Sequence, residues 1–114
     1  MEAVDSLARR QLEAYNASDL KAFCACYHPD VRVLDADGSL VSEGIKAFRA
    51  RYEPLFATVV FGGTVETRIC VGEHCMDHER WWRVDPETGV RNEGEVLVRY
   101  RAKDGRLIEV QFFR

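Results

Sequence analysis

At Val59 the apolar rhythm of the chain changes from helical spacing to a period of two, and the new period continues to the last strand. Upstream, Val4, Leu7, Ala8, Leu12 and Tyr15 form one helical stripe, with Glu2, Asp5, Arg9, Arg10 and Glu13 mostly off it. Asn16-Ala17-Ser18-Asp19 supplies cap residues, and Leu20, Phe23, Cys24 and Tyr27 mark a second, short helix ended by Pro29. A strand over residues 31–35 follows, then an Asp37-Gly38 hairpin turn and a return through Leu40-Val41. Ser42 caps a third helix carrying Ile45, Phe48, Tyr52 and Leu55. Strands are then expected near 59–71, 75–84, 94–102 and 106–114, separated by turn residues at Gly72-Glu73, at 85–89 and at 103–105. This order predicts an α+β domain, with three helices on one face of an antiparallel meander.

Large apolar residues occupy both parities of the strands: Trp81 beside Trp82, Val96 and Val98 beside Leu97, Phe112 beside Phe113. Neighbouring strand residues point to opposite faces, so both faces of the sheet require cover. Three helices blanket only one, and a homodimer through the other face is expected. No repeat or linker divides the 114 residues, which are read as a single domain, 1–114. With a net charge of -3 and basic residues scattered singly, the chain lacks the basic stripe that a nucleic acid partner requires. No apolar run reaches the roughly 18 residues of a membrane span. The N-terminus, Met1-Glu2-Ala3-Val4-Asp5, is acidic where a signal peptide is basic, which points to the cytoplasm.

Two residues stand out for chemistry. Asp35 shares the parity of Val31 and Val33, so if those face the core its carboxylate points inward as well. It is then a general base in a pocket, or else an acceptor for the backbone of the following turn. Gln11 falls between Leu7 and Tyr15 on the buried stripe, where an amide needs a polar partner or a wet pocket. His78 is a further catalytic candidate whose facing depends on the strand register. Tyr15, Phe23, Tyr27, Phe48, Tyr52, Trp82, Val96 and Phe112 are read as core and pocket lining. Cys24 and Cys26 project about 200° apart on a helix and share no ligand. If Gly72-Glu73 is a two-residue hairpin turn, Cys70 falls opposite Cys75, within reach of a disulfide or of a metal site with His74 or His78. Without a secretory signal, two reduced thiols are the expectation. Phe61-Gly62-Gly63 has no helix after it to cradle a phosphate, and no Ser-His-Asp or spaced metal-ligand motif occurs. No metal or cofactor is therefore expected.

Tyr15-Asn16-Ala17-Ser18-Asp19-Leu20, Tyr27-His28-Pro29-Asp30-Val31, Glu43-Gly44, Arg49-Ala50-Arg51-Tyr52, Asp77-His78-Glu79-Arg80 and the closing residues 104–114 succeed one another along nearly the whole chain. In this order they resemble the nuclear transport factor 2-like superfamily, and within it the SnoaL-like, steroid delta-isomerase-like branch. The resemblance implies a cystatin-like cone, a curved antiparallel sheet wrapped around helices, with a pocket at its open end and a dimer across the sheet. In ketosteroid isomerase, a relative with this cone, a carboxylate shuttles a proton while a tyrosine and a neutral aspartic acid stabilise the enolate. Asp35 matches the proton-shuttling position and Tyr52 a pocket tyrosine. Gln11 stands where the oxyanion tyrosine is found, and apolar Val96 or Leu97 where the second acid is found. A true ketosteroid isomerase is thereby disfavoured, since an amide donates a weaker hydrogen bond than a phenol and valine donates none. Two functions remain: a cofactor-independent isomerase, cyclase or hydrolase acting on a small hydrophobic molecule, or a non-catalytic ligand-binding or dimerisation module.

Overall fold

A computed structural model describes residues 3–114, so Met1 and Glu2, including the start of the acidic N-terminus, lie outside the described residues. The chain runs α1 (Val4–Asn16), α2 (Leu20–Ala25), β1 (Tyr27–Leu34), β2 (Leu40–Glu43), α3 (Ile45–Thr58), β3 (Val60–Val71), β4 (His74–Val84), β5 (Arg91–Lys103) and β6 (Arg106–Phe113). The strands form one curved sheet in the order β2-β1-β6-β5-β4-β3. One expectation changes. The sheet is mixed, because β1 lies parallel to β6 while every other pairing is antiparallel. Only α1 and α2 precede the sheet, and α3 crosses from β2 to β3.

Local chemistry explains most boundaries. The Asp19 side chain accepts the Ala22 amide at 3.1 Å and starts α2. That helix ends at Ala25, so Tyr27 and Pro29 belong to β1. Ser42 sits within β2 and caps nothing; Gly44, at φ +90°, occupies the N-cap of α3, a backbone conformation that favours glycine. Asp85 closes the β4–β5 turn by accepting the amides of Glu87 and Thr88.

α1 lays Val4, Leu7, Ala8, Gln11, Ala14 and Tyr15 on the sheet. Phe23 of α2 and Phe48 of α3 are fully buried, and Phe23 has ring centroids of Tyr27, Phe48, Tyr52 and Phe56 at 5.0 to 5.6 Å. Burying such a ring contributes about 1.5–3 kcal/mol, and each well-oriented ring pair roughly 0.5–1.5 more. Asn16, at the end of α1, clamps the helix to β3: its amide donates to the Gly63 carbonyl at 2.9 Å and accepts the Gly63 N–H at 2.8 Å.

The β3–β4 hairpin turns at Gly72-Glu73 with positive φ at Gly72 alone, the pattern of a type II′ turn. Cys70 and Cys75 are register partners with Cα atoms 4.1 Å apart, and they form a disulfide. This corrects the expectation of two reduced thiols: cysteines at a directly opposed, closely spaced pair have their sulfur atoms within bonding reach. Cys24 and Cys26 are free and buried. Among the described residues no helix is long and apolar enough to cross a membrane.

Candidate functional site

Between the helices and the concave face of the sheet lies a cavity of about 370 Å³. The strand rows grade its wall by depth. On β4, residues 75, 77, 79, 81 and 83 share the inner parity; Cys75 stands opposite Tyr100, and Asp77 opposite Val98, which in turn faces Phe112. Glu79 stands opposite Val96 one row further out, and Trp81 opposite Gly94 beyond that. A Cβ on Gly94 would run into the Trp81 indole, so the missing side chain is what lets that ring lie flat against β5.

At the inner end, Tyr27 donates its hydroxyl proton to the Gln11 Oε1 at 2.9 Å, and Gln11 Nε2 donates to the Tyr100 hydroxyl oxygen at 3.0 Å and to the Ala8 carbonyl at 3.1 Å. Gln11 is thus a buried amide whose need for polar partners is met by Tyr27, Tyr100 and the Ala8 carbonyl. The chain has a direction. Because the Tyr100 oxygen is already an acceptor, its own proton is left to donate, and Tyr100 lines the cavity. Burial pushes the hydroxyls of Tyr27 and Tyr100 well above the ordinary phenol range and that of Tyr52 up to about 12, so all three stay protonated donors.

Among the described residues, Glu79 is the one side-chain carboxylate in the cavity wall. Burial, reinforced by the nearby Asp77, pushes its pKa up to about 7, against the weaker opposing pull of Arg114 and Arg83. Its side chain lies over Gly63, where a Cβ would collide with the carboxylate. Asp77, one row deeper and buried, is used otherwise: Arg68 grips both its oxygens, Nε to Oδ1 at 2.7 Å and a second N–H to Oδ2 at 2.8 Å.

Gln11, Tyr15, Phe23, Tyr27, Tyr52, Val96 and Phe112 line this cavity, joined by Glu79, Trp81, Tyr100 and the arginines at 51, 83 and 114. Four other candidates sit elsewhere. Asp35 is exposed beyond the end of β1: its N–H donates to the Ser39 carbonyl, and its carbonyl accepts from Gly38 N–H and Gln111 Nε2. The cause is an irregularity in the β1–β2 register at Val33/Leu34, where two consecutive residues are both buried and the alternation that would have turned Asp35 inward is broken. His78 lies on the outer face, 2.7 Å from Glu95, because the core-facing parity of β4 is that of Cys75. Trp82 shares that outer parity, under the Arg91 guanidinium at 4.6 Å, and Trp81 takes the inner place. Phe48 is wholly buried among the helices and β1, not on the cavity wall.

Among the cavity residues that sequence reasoning passed over are Glu79 and Tyr100. Their signal was their parity with buried neighbours, Cys75 on one strand and Val96 and Val98 on the other. Among the described residues no cluster of His, Cys, Asp and Glu is arranged to hold a metal ion.

The whole architecture recurs in known structures. An uncharacterised cystatin-fold protein from Novosphingobium aromaticivorans superposes with a TM-score of 0.86 at 20% identity, covering 100% of each chain. A Δ5-3-ketosteroid isomerase from Mycobacterium sp. gives 0.84 at 16% identity, covering 97% of this chain and 92% of its own. A putative SnoaL-like polyketide cyclase from Mesorhizobium loti gives 0.74 at 20% identity, covering 99% and 100%. At these identities the likeness establishes the fold. No protein of curated function matches the chain in sequence. The model of the SnoaL-like domain matches residues 8–110, nearly the full length, from within α1 to within β6. The chain therefore belongs to the SnoaL-like domain family.

Proposed function

We propose that this protein catalyses proton transfer on a small hydrophobic carbonyl compound, with Glu79 as the general base and Tyr100 as the hydrogen-bond donor to the oxygen that becomes negative. The observation that carries this reading is Glu79 itself, a cavity carboxylate held near pKa 7 by burial. A base tuned to neutral pH combines a useful ionised fraction with enough basicity to draw a proton from carbon.

Glu79 and Tyr100 stand four residues apart in the strand rows, about 13 Å between their Cα positions. Their side chains reach into the same cavity from its outer and inner parts. A flat molecule between them presents an acidic C–H to Glu79 and its carbonyl oxygen to Tyr100. The carboxylate takes the proton, and the C–H electrons move onto the carbonyl oxygen, where the Tyr100 O–H stabilises the enolate. Returning the proton to another carbon isomerises the molecule, while attack of the enolate carbon on a second, internal carbonyl closes a ring, the resulting alkoxide taking back the proton from Glu79. Relatives of the same fold described as a ketosteroid isomerase and a putative polyketide cyclase make both outcomes reasonable for this chain. The proposed steps use only the protein's own side chains.

Nitrobenzisoxazole, a small neutral aromatic that opens when a base removes its ring proton, tests this directly. Turnover rising with pH to a plateau above about 7, abolished in Glu79→Gln and reduced roughly tenfold in Tyr100→Phe, is the expected result. Undiminished turnover in Glu79→Gln would remove Glu79 from the chemistry.

The outer sheet face supports the expected homodimer. Leu97 and Ile69 are 43% and 64% exposed there, with Trp82 and Phe113 half-buried beside them. Sedimentation should give a dimer in the parent chain and a monomer in Leu97→Asp; a parent chain that sediments as a monomer would end this proposal.

A further inference from the structure

Three guanidinium groups stand around the same cavity, on Arg51, Arg83 and Arg114, all at exposed positions, against the single carboxylate of Glu79. Several arginines elsewhere on the sheet are paired with carboxylates: Arg32 with Glu43 and Glu109, Arg68 with Asp77, Arg80 with Glu66 and Glu95, Arg99 with Glu109. None of the three at the cavity takes part in an ion pair among the described residues.

Their placement follows from the strand period. Trp81-Trp82-Arg83 and Phe112-Phe113-Arg114 each put an aromatic ring inward and an arginine two residues further out on the same face. In both, the arginine lies over its own aromatic: Arg83 at 5.5 Å from the Trp81 centroid and Arg114 at 5.1 Å from that of Phe112. Stacking holds the plane of a guanidinium while its N–H edge stays free to grip a carboxylate with two parallel hydrogen bonds. Arg83 lies near the Tyr15 hydroxyl and Arg51 near that of Tyr52, and a guanidinium has more donors than one such neighbour could use.

We infer that the ligand is an apolar, largely aromatic molecule bearing a carboxylate or similar anion, which Arg83 and Arg114 hold at the mouth while its body enters the cavity. This deepens the proton-transfer reading and rests on the same cavity. Arg83 and Arg114 pull only weakly toward ionising Glu79, whose pKa remains raised in their presence. An anion bound between them would also set the depth of its own apolar body, bringing the reacting carbon beside Glu79, which lies two rows inward of Arg83 on β4 and level with the end of β6 that carries Arg114.

The test uses two dyes with one skeleton: anilinonaphthalene sulfonate, which is anionic, and N-phenylnaphthylamine, which is neutral. Fluorescence titration at low salt should show the sulfonate binding about tenfold more tightly, with the preference shrinking as salt is raised. The double variant Arg83→Gln/Arg114→Gln should lose most of that preference, and Arg83→Lys, which keeps the charge but not the fork, should lose part of it. Leu55→Trp, which fills the cavity, should weaken both dyes and so place them inside. Equal affinity for the two dyes in the parent chain, or equal loss of both in the double variant, would overturn the inference; so would dye binding untouched by Leu55→Trp. If the sulfonate is not preferred while nitrobenzisoxazole still turns over through Glu79, only the anion site fails. If the sulfonate is preferred and that turnover is absent, the proton-transfer reading fails alone.

Discussion

Gln11 donates to the Tyr100 hydroxyl oxygen at 3.0 Å and thereby decides which way the Tyr100 proton points. An amide that both donates to one phenol and accepts from another, Tyr27, sets a one-way chain ending in the cavity.

Replacing Gln11 with leucine should therefore cost more than one hydrogen bond. Two buried hydroxyls lose their partner, at roughly 1–3 kcal/mol each. Urea denaturation of Gln11→Leu should show a loss of about 2–4 kcal/mol, and a loss below about 1 would mean that water replaces the amide. Gln11→Glu asks about direction instead: an ionised carboxylate accepts the Tyr100 proton, so turnover of nitrobenzisoxazole should fall as far as in Tyr100→Phe.

Glu79 should make stability and activity respond to pH in opposite senses. Its folded pKa, about 7, lies above its ordinary 4.5, so between these values the folded chain keeps a proton that the unfolded chain has released. Stability is then fully present below about pH 4.5 and declines as pH rises through 7, by up to about 3 kcal/mol, while the ionised base appears over the same window. Denaturant melts across this range should flatten in Glu79→Gln; an unchanged slope would place the pH dependence on other groups.

Gly63 joins two tasks, pairing with Asn16 through its backbone and leaving room for the Glu79 carboxylate. In Gly63→Ala the new methyl must displace that flexible side chain. The backbone clamp survives, so stability should change by less than about 1 kcal/mol while turnover falls at least tenfold. Loss of fold in Gly63→Ala would show that the strand itself, and not the carboxylate, needs the glycine.

The Cys70–Cys75 disulfide closes a short loop across the β3–β4 turn, so its stabilisation is modest, about 2 kcal/mol by loop entropy. Cys70→Ser and reduction of the parent chain should lower the denaturation midpoint equally. A reductant that further destabilises Cys70→Ser would point to a different disulfide.

How much of this was legible depended on range. Turn chemistry at Gly72-Glu73 placed Cys70 opposite Cys75, and the helical stripe of α1 placed Gln11 in the core, since both follow from bonds and periods within a few residues. Asp35 was misplaced because one local irregularity at Val33/Leu34 reversed every inference that depended on alternation beyond it. Trp81 and Trp82 could not be told apart by pattern, because both are large and apolar and only the position of the helices distinguishes the faces. His78 shared the fate of Trp82 for that reason.

The sequence by itself determined the order of the elements, the family resemblance that the SnoaL-like match bears out, and the need for a polar partner at Gln11. Only the tertiary structure decided which carboxylate faces the cavity. A raised pKa is a property of surroundings drawn from α1, β3, β4 and β5 together. Asp35, at an open turn, and Glu79, beneath Gly63 and beside Asp77, are chemically alike until those surfaces close over one and leave the other in water.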